Sequence, residues 1–297
     1  MKKILFLLTI LLFSSSSNGQ LLWKVSGKDC HKPSYLFGTI HLETSRYLDS
    51  IPGLSSVINE VDAIYGEVLN ETLLGDDALM SLFKESAAPA DSTIDKLLSP
   101  EEYQLVDSVV RSYFGFAGID VLKGLKPVIV TNQLGLLQMQ KYFPECTDNN
   151  DLLDMAIQNR GIALGKHVDG LETIESQTNA LFGAPLTEQA QDLVDFCRKD
   201  KDFAVRGKRL CDAYHAQDLE AIEQIVFDQE LGMREENFER LSYKRNRAWM
   251  DKITMTLPVQ SVLIAVGAAH LIGEQGLIKL LRDLGYTVEP VTLDPKQ

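Results

Sequence analysis

The chain has 297 residues, 42 acidic against 29 basic side chains, a formal net charge of −13 and 45% hydrophobic residues. That length is enough for one large domain or two small ones. A surface this acidic is expected to repel nucleic acid and anionic membrane, and no arginine-rich stripe or nucleic-acid motif argues otherwise.

The N-terminus reads as a cleaved secretory leader. Met1, Lys2 and Lys3 give a positive start, residues 4–13 an apolar run, and residues 14–20 a small, polar exit. The run is short for a retained bilayer span, so no stable membrane span is expected after cleavage near Gly19 or Gln20. The organisation expected is a signal peptide over 1–20 and one domain over 21–297, delivered to the periplasm or secreted. Losing Lys2 and Lys3 with no acid takes the net charge from −13 to −15. In an oxidising compartment Cys30, Cys146, Cys197 and Cys211 are permitted to pair. Cys197 with Cys211 is the most local choice, and free buried thiols are an equal alternative.

Residues 21–26 and 34–39 have the pattern of a β-hairpin around Gly27, Lys28 and Asp29. A short helix is expected from near Pro52 and a third strand over 63–68. From Ser99 the pattern turns helical: Ser99 is an N-cap residue, Pro100 suits the first helical position, and Glu101 and Glu102 follow. Helical periodicity continues over 127–142, 151–159 and most of 188–255, interrupted by a strand at 166–169. Residues 261–266 read as a buried strand, 276–284 as a helix stopped by Gly285, and 286–291 as a returning strand. The fold class expected is therefore α/β with some α+β character. A mixed central sheet is flanked by helices, with a helical insertion over roughly 99–256.

Two short patterns carry the chemistry. Residues 38–41 read GTIH and residues 267–270 read GAAH, each after an apolar strand-like run. His41 and His270 are thus expected where a strand gives way to a loop or helix, a common place for ligand-binding groups in α/β proteins. There is no HExxH and no GxSxG, so neither zincin nor α/β-hydrolase chemistry is invoked.

Five segments in order carry a family resemblance: LLWKVSG at 21–27, PSYLFGTIH at 33–41, GLET at 170–173 with Gln177, RNRAWM at 245–250, and AVGAAHLIGEQGLIKLLRDLGYTVEPV at 265–291. Together they resemble the TraB/GumN family, which includes the TIKI metalloproteases. The resemblance implies a mixed central sheet with surrounding helices, similar to erythromycin esterases and ChaN proteins. It also implies an active centre built from the two GxxH histidines and a glutamate. Carried over by position, His41 and His270 match the paired histidines and Glu67 the acidic position at a strand end. Glu172 and Arg245 match further polar positions. Gly66 before Glu67, where a bulkier residue is expected, and Ala269, often glycine in relatives, depart from the pattern.

Two imidazoles and a carboxylate, His41, Glu67 and His270, are a plausible ligand set for a catalytic divalent metal such as Mn, Co or Zn. Glu172 is then a candidate proton acceptor or support for a ligand, and Arg245 a candidate for holding a substrate carboxylate or an oxyanion. Plainer roles stand beside these: Glu67 as a surface carboxylate, Glu172 as support for the helix that follows it, and Arg245 on a solvated or salt-bridged face. Trp249, four residues on, reads as core packing, and His31, His167 and His215 have no matched partner. The expected function is a metal-dependent hydrolase acting on a peptide or protein. The alternatives are a binding protein that sequesters a peptide or haem, and a metal-free esterase.

Overall fold

A computed structural model describes residues 20–40, 43–70, 76–115, 117–144 and 152–291. His41, Cys146 and the leader up to Gly19 lie outside the described residues.

The six strands are β1 (Leu22–Ser26), β2 (Ser34–Thr39), β3 (Ala63–Gly66), β4 (His167–Gly170), β5 (Val262–Gly267) and β6 (Thr287–Pro290), in one sheet of order β4-β3-β5-β2-β1-β6. The four strands β4, β3, β5 and β2 run parallel, whereas β1 is antiparallel to both β2 and β6. The β1–β2 hairpin turns where Gly27 and Lys28 take positive φ values of 85° and 48°, a conformation that glycine adopts without steric cost. The hairpin is inserted between β5 and β6, so the expected strand–helix–strand unit at the C-terminal end has parallel strands that are not neighbours.

All of β2, and β5 up to its last residue, are buried, as their continuous apolar runs require of a sheet covered on both faces. The main core joins Leu36, Phe37, Ile64, Leu263 and Ile264 of the sheet to Leu153 and Ile157 on one helix and to Trp249 and Ile253 on another. The fold is α/β, a mixed six-stranded sheet flanked by helices.

Helix boundaries follow local chemistry. Ser99 and Glu102 form a reciprocal capping box that starts Pro100–Phe114, and Pro127 occupies the first position of Pro127–Tyr142. Within the helical middle a second apolar cluster forms among Ile94, Val106, Val110, Ile119, Val130, Leu134 and Leu193. Cys197 belongs to that cluster, whereas Cys211 packs with Met139 and Phe143. Cys197 is accordingly a free thiol, pushed up to about 12 by burial, and the local Cys197–Cys211 pair is not formed. No helix among the described residues is long and apolar enough to cross a membrane.

Candidate functional site

The two glycine-containing motifs lie on adjacent parallel strands. Thr39 of β2 is in register with Gly267 of β5. A Cβ on Gly38 would stand 3.1 Å from both Cα and Cβ of Ala268, so the first motif packs directly against the turn of the second. That turn is a short 3-10 segment, Ala268–His270, which swings His270 into the interior, where it is 4% exposed.

On the other side of β5, strands β3 and β4 end together at the paired residues Gly66 and Gly170. Beyond them the backbones continue side by side, with the amides of Leu171 and Glu172 donating to the carbonyls of Gly66 and Glu67, each at 2.9 Å. This brings Glu67 and Glu172 next to one another. Gly66 has a definite reason to lack a side chain: its Cβ would fall 2.2 Å from Nε2 of buried Gln158. Gln158 donates from that nitrogen to the carbonyl of Val68 and accepts the amide of Asn70 with its oxygen, each at 3.0 Å. A residue bulkier than glycine at 66 would displace the group that shapes the chain just past Glu67.

The helix Lys244–Thr256 supplies the cation. It follows a π turn, Glu239–Tyr243, an irregularity that shifts the facing of the residues after it. The helix packs on the strand face that carries residues 65 and 67: Lys252 lies 5.2 Å from the Tyr65 ring, and Arg245 Nη2 lies 2.5 Å from Glu67 Oε2. Arg245 also donates from Nε to Glu172 Oε1 at 2.9 Å, from Nη2 to the same oxygen, and from Nη1 to the Leu241 carbonyl at 2.9 Å. The Arg245 side chain is 8% exposed, those of Glu67 and Glu172 11% and 5%. Burial pulls the guanidinium pKa down, but the two carboxylates outweigh it and hold it above its ordinary value. Arg245 thus belongs to a buried ion network, not to a solvated face.

Glu67 and His270 meet across this network. Glu67 Oε1 accepts the Gly267 amide at 2.8 Å and lies 3.6 Å from His270 Nε2, while Oε2 also accepts from Gln177 Nε2 at 3.2 Å. Gly267 leaves room for this, since a Cβ there would stand 3.3 Å from Glu67 Oε1. Arg245 Nη1 lies 3.0 Å from His270 Nε2. Trp249, one turn from Arg245, packs its ring 4.9 Å from the guanidinium carbon and 4.5 Å from the imidazole. It is core packing, as its spacing indicates, and it also walls this centre.

Of the residues picked out by sequence, Glu67, Glu172, Arg245 and His270 converge. Glu172 does not cap the helix Ile174–Phe182: Thr173 does, accepting the Ser176 amide, while the Ser176 hydroxyl donates to Glu172 Oε2 at 2.9 Å. His215 has an unanticipated partner, Glu43 Oε2 at 2.6 Å, and no sequence signal links residues 172 positions apart. Asn246 is a second residue at the centre that sequence alone does not single out. It is fully buried beside His270, with Oδ1 2.6 Å from Nδ1, and its only cue was a place in the RNRAWM segment.

Two of the donors are of metal-ligating type, although His270 Nε2 already accepts from Arg245 Nη1. His270 Nε2 and Glu67 Oε1, 3.6 Å apart, can both stand about 2.0–2.2 Å from one cation. Among the described residues no group of three His, Cys, Asp or Glu side chains is placed to hold a metal ion, and His41 is outside that set. Two carboxylates against one guanidinium leave the cluster with an excess negative charge, which a divalent cation would offset.

The sequence matches the TraB/PrgY/gumN family over residues 21–290. The chain belongs to this family. Relatives include a protein named metalloprotease TIKI2 from Danio rerio, 24% identical over 93% of this chain and 62% of its own length. Another is a metalloprotease TIKI homolog from Amphimedon queenslandica, 21% identical over 94% of this chain and 63% of its own. The chain therefore spans less than two thirds of the length of these relatives. No solved structure matches it.

Proposed function

We propose that this family member is a metal-dependent hydrolase of the peptidase kind, working at the centre formed by Glu67, Glu172, Arg245 and His270 after export to the periplasm or the cell exterior. The observation that carries the reading is the meeting of these four side chains, from four separate segments, in one buried network beside the GAAH turn. The names of the relatives support the same class of chemistry. In this reading His270 Nε2 and Glu67 Oε1 hold a divalent cation such as Mn, Co or Zn, with His41 as the third ligand. When bound, such a cation supplies Lewis acidity and lowers the pKa of a water. Glu172 accepts a proton, and Arg245 stabilises charge developing on the carbonyl oxygen of a peptide.

The deciding experiment is metal analysis of purified protein, with peptide hydrolysis assayed before and after chelation. The expected result is activity lost on chelation and restored by one divalent metal, with metal content reduced in His270→Ala and His41→Ala. Folded wild-type protein with no turnover under Mn, Co or Zn would overturn the hydrolase reading. The second reading, a protein that sequesters a peptide or haem without turnover, is favoured by one specific contact: the Arg245 guanidinium already satisfies Glu67, Glu172 and His270 Nε2 together.

A further inference from the structure

The orientation of His270 is not left to its own preference. Asn246, fully buried and adjacent in sequence to Arg245, directs its carboxamide at the same loop from two sides. Its Nδ2 lies 3.0 Å from the His270 carbonyl and 2.8 Å from the Gln275 carbonyl, and its Oδ1 lies 2.6 Å from His270 Nδ1. Carbonyl oxygens only accept, so the two of them fix which end of the amide is nitrogen; a flipped amide would set oxygen against oxygen twice. The remaining amide oxygen also only accepts, so the imidazole nitrogen facing it must carry the proton. On the opposite edge of the ring, Arg245 Nη1 can only donate to Nε2. The Asn246 and Arg245 contacts therefore both place the proton on Nδ1 and the lone pair on Nε2, the nitrogen 3.6 Å from Glu67 Oε1.

We propose that Asn246 is the positioning residue of this centre: it clamps the loop 270–275 and holds His270 in the Nδ1–H form, so that the Nε2 lone pair is turned to the side of the ring that carries Arg245 and Glu67, where Arg245 Nη1 donates to it. An imidazole free in water favours the other tautomer, with Nε2 blocked by its own proton, so the clamp selects the form that can ligate or accept a proton there. The choice of asparagine follows. An aspartate would offer an acceptor to Nδ1–H but no donor to the two carbonyls, and a leucine of similar size would offer neither.

The proposal rests on the reading of His270 as the working imidazole of the site, and its test does not depend on turnover. Full-length protein labelled with ¹⁵N-histidine, with His270 assigned by difference from His270→Gln, reports the tautomer directly through long-range ¹H–¹⁵N correlations. Wild type is expected to show only the Nδ1–H form, with that proton slow to exchange. Asn246→Ser should give a mixture of tautomers and rapid exchange of the proton. Asn246→Asp, which keeps an acceptor for Nδ1–H, should restore the wild-type tautomer. Zinc affinity, read by chelator competition, should fall about 10–100-fold in Asn246→Ser, the usual cost of losing the partner of a ligating histidine, and recover in part in Asn246→Asp. A wild-type His270 protonated on Nε2 overturns the proposal even if every variant misfolds. So does an unchanged tautomer and exchange rate in folded Asn246→Ser, because Arg245 alone would then set the ring. A locked tautomer in a protein that neither binds metal nor hydrolyses peptides would refute the hydrolase reading and leave the role of Asn246 standing.

Discussion

Glu67 and Glu172 are joined twice, once by the amide of Glu172 donating to the carbonyl of Glu67 at 2.9 Å and once by the Arg245 guanidinium that both carboxylates share. Two acids held this close in a buried place need that cation. Arg245→Met, which leaves two buried carboxylates without it, is expected to cost about 3–5 kcal/mol. Denaturant unfolding measures the loss; a loss that persists after both carboxylates are also replaced by amides would indicate lost packing only. Combining Arg245→Met with Glu67→Gln and Glu172→Gln should recover much of the stability, since no uncompensated charge then remains.

The close approach of Gly66 and Gln158 predicts a strongly coupled pair. Gly66→Ala should displace Gln158 and break its bonds to Val68 and Asn70, costing about 1–3 kcal/mol for each buried partner left unsatisfied. Once Gln158 is truncated to alanine, adding Gly66→Ala should cost little more. A double-mutant cycle by urea unfolding reads the coupling. Additive losses would mean that Gln158 tolerates the methyl group.

Tyr214 anchors the first motif from the helix Asp200–His215: its hydroxyl donates to the Gly38 carbonyl at 3.0 Å. Burial, reinforced by Asp154, Tyr47 and Glu43, raises its pKa well above the ordinary value, so the phenol stays protonated and remains a donor. Tyr214→Phe is expected to cost about 1–3 kcal/mol by leaving that carbonyl unsatisfied. Amide exchange in β2 should rise with it. An unchanged melting temperature would show that water replaces the hydroxyl.

Acid stability should depend on Asp169 at the end of β4. Burial raises its pKa, but Lys252, donating at 2.6 Å, and the Gly170 amide more than reverse this and hold it below the ordinary value. The stability it adds is full above its unfolded pKa of about 3.9 and is lost as the pH falls through the lower folded value. Asp169→Asn should therefore flatten the acid side of the stability profile below about pH 4 and lower the plateau above it. A profile parallel to wild type across that range would refute this.

What the sequence disclosed was mostly local. The apolar run ending in Gly267 announced β5, Ser99 with Glu102 announced a helix start, and the strand expected over 63–68, which in the structure stops at Gly66, placed Glu67 near a strand end. Each depends on neighbours along the chain. The pairing of Gly66 with Gly170 does not, and without it nothing says that Glu67 and Glu172 are adjacent. Arg245 stands among Lys244 and Arg247, a setting that reads as readily as a solvated or salt-bridged face as it does as a site. The π turn before it and the two carboxylates from distant strands make it buried. Asn246 has no cue beyond its place in the RNRAWM segment and the Glu43–His215 contact has none, because polar satisfaction is settled only when separate elements pack.

The placement of the N-terminal hairpin between β5 and β6 bears on the order of events during synthesis. Residues 22–39 are made well before 262–290, yet both of their open edges wait for those later strands. Long-range pairing of this kind pays its loop-closure entropy before any contact repays it, and an unpaired strand edge is a template for wrong partners in the interval. Folding of this sheet is therefore a late, whole-chain event. The nascent hairpin must remain soluble by other means until the C-terminal strands arrive to enclose it.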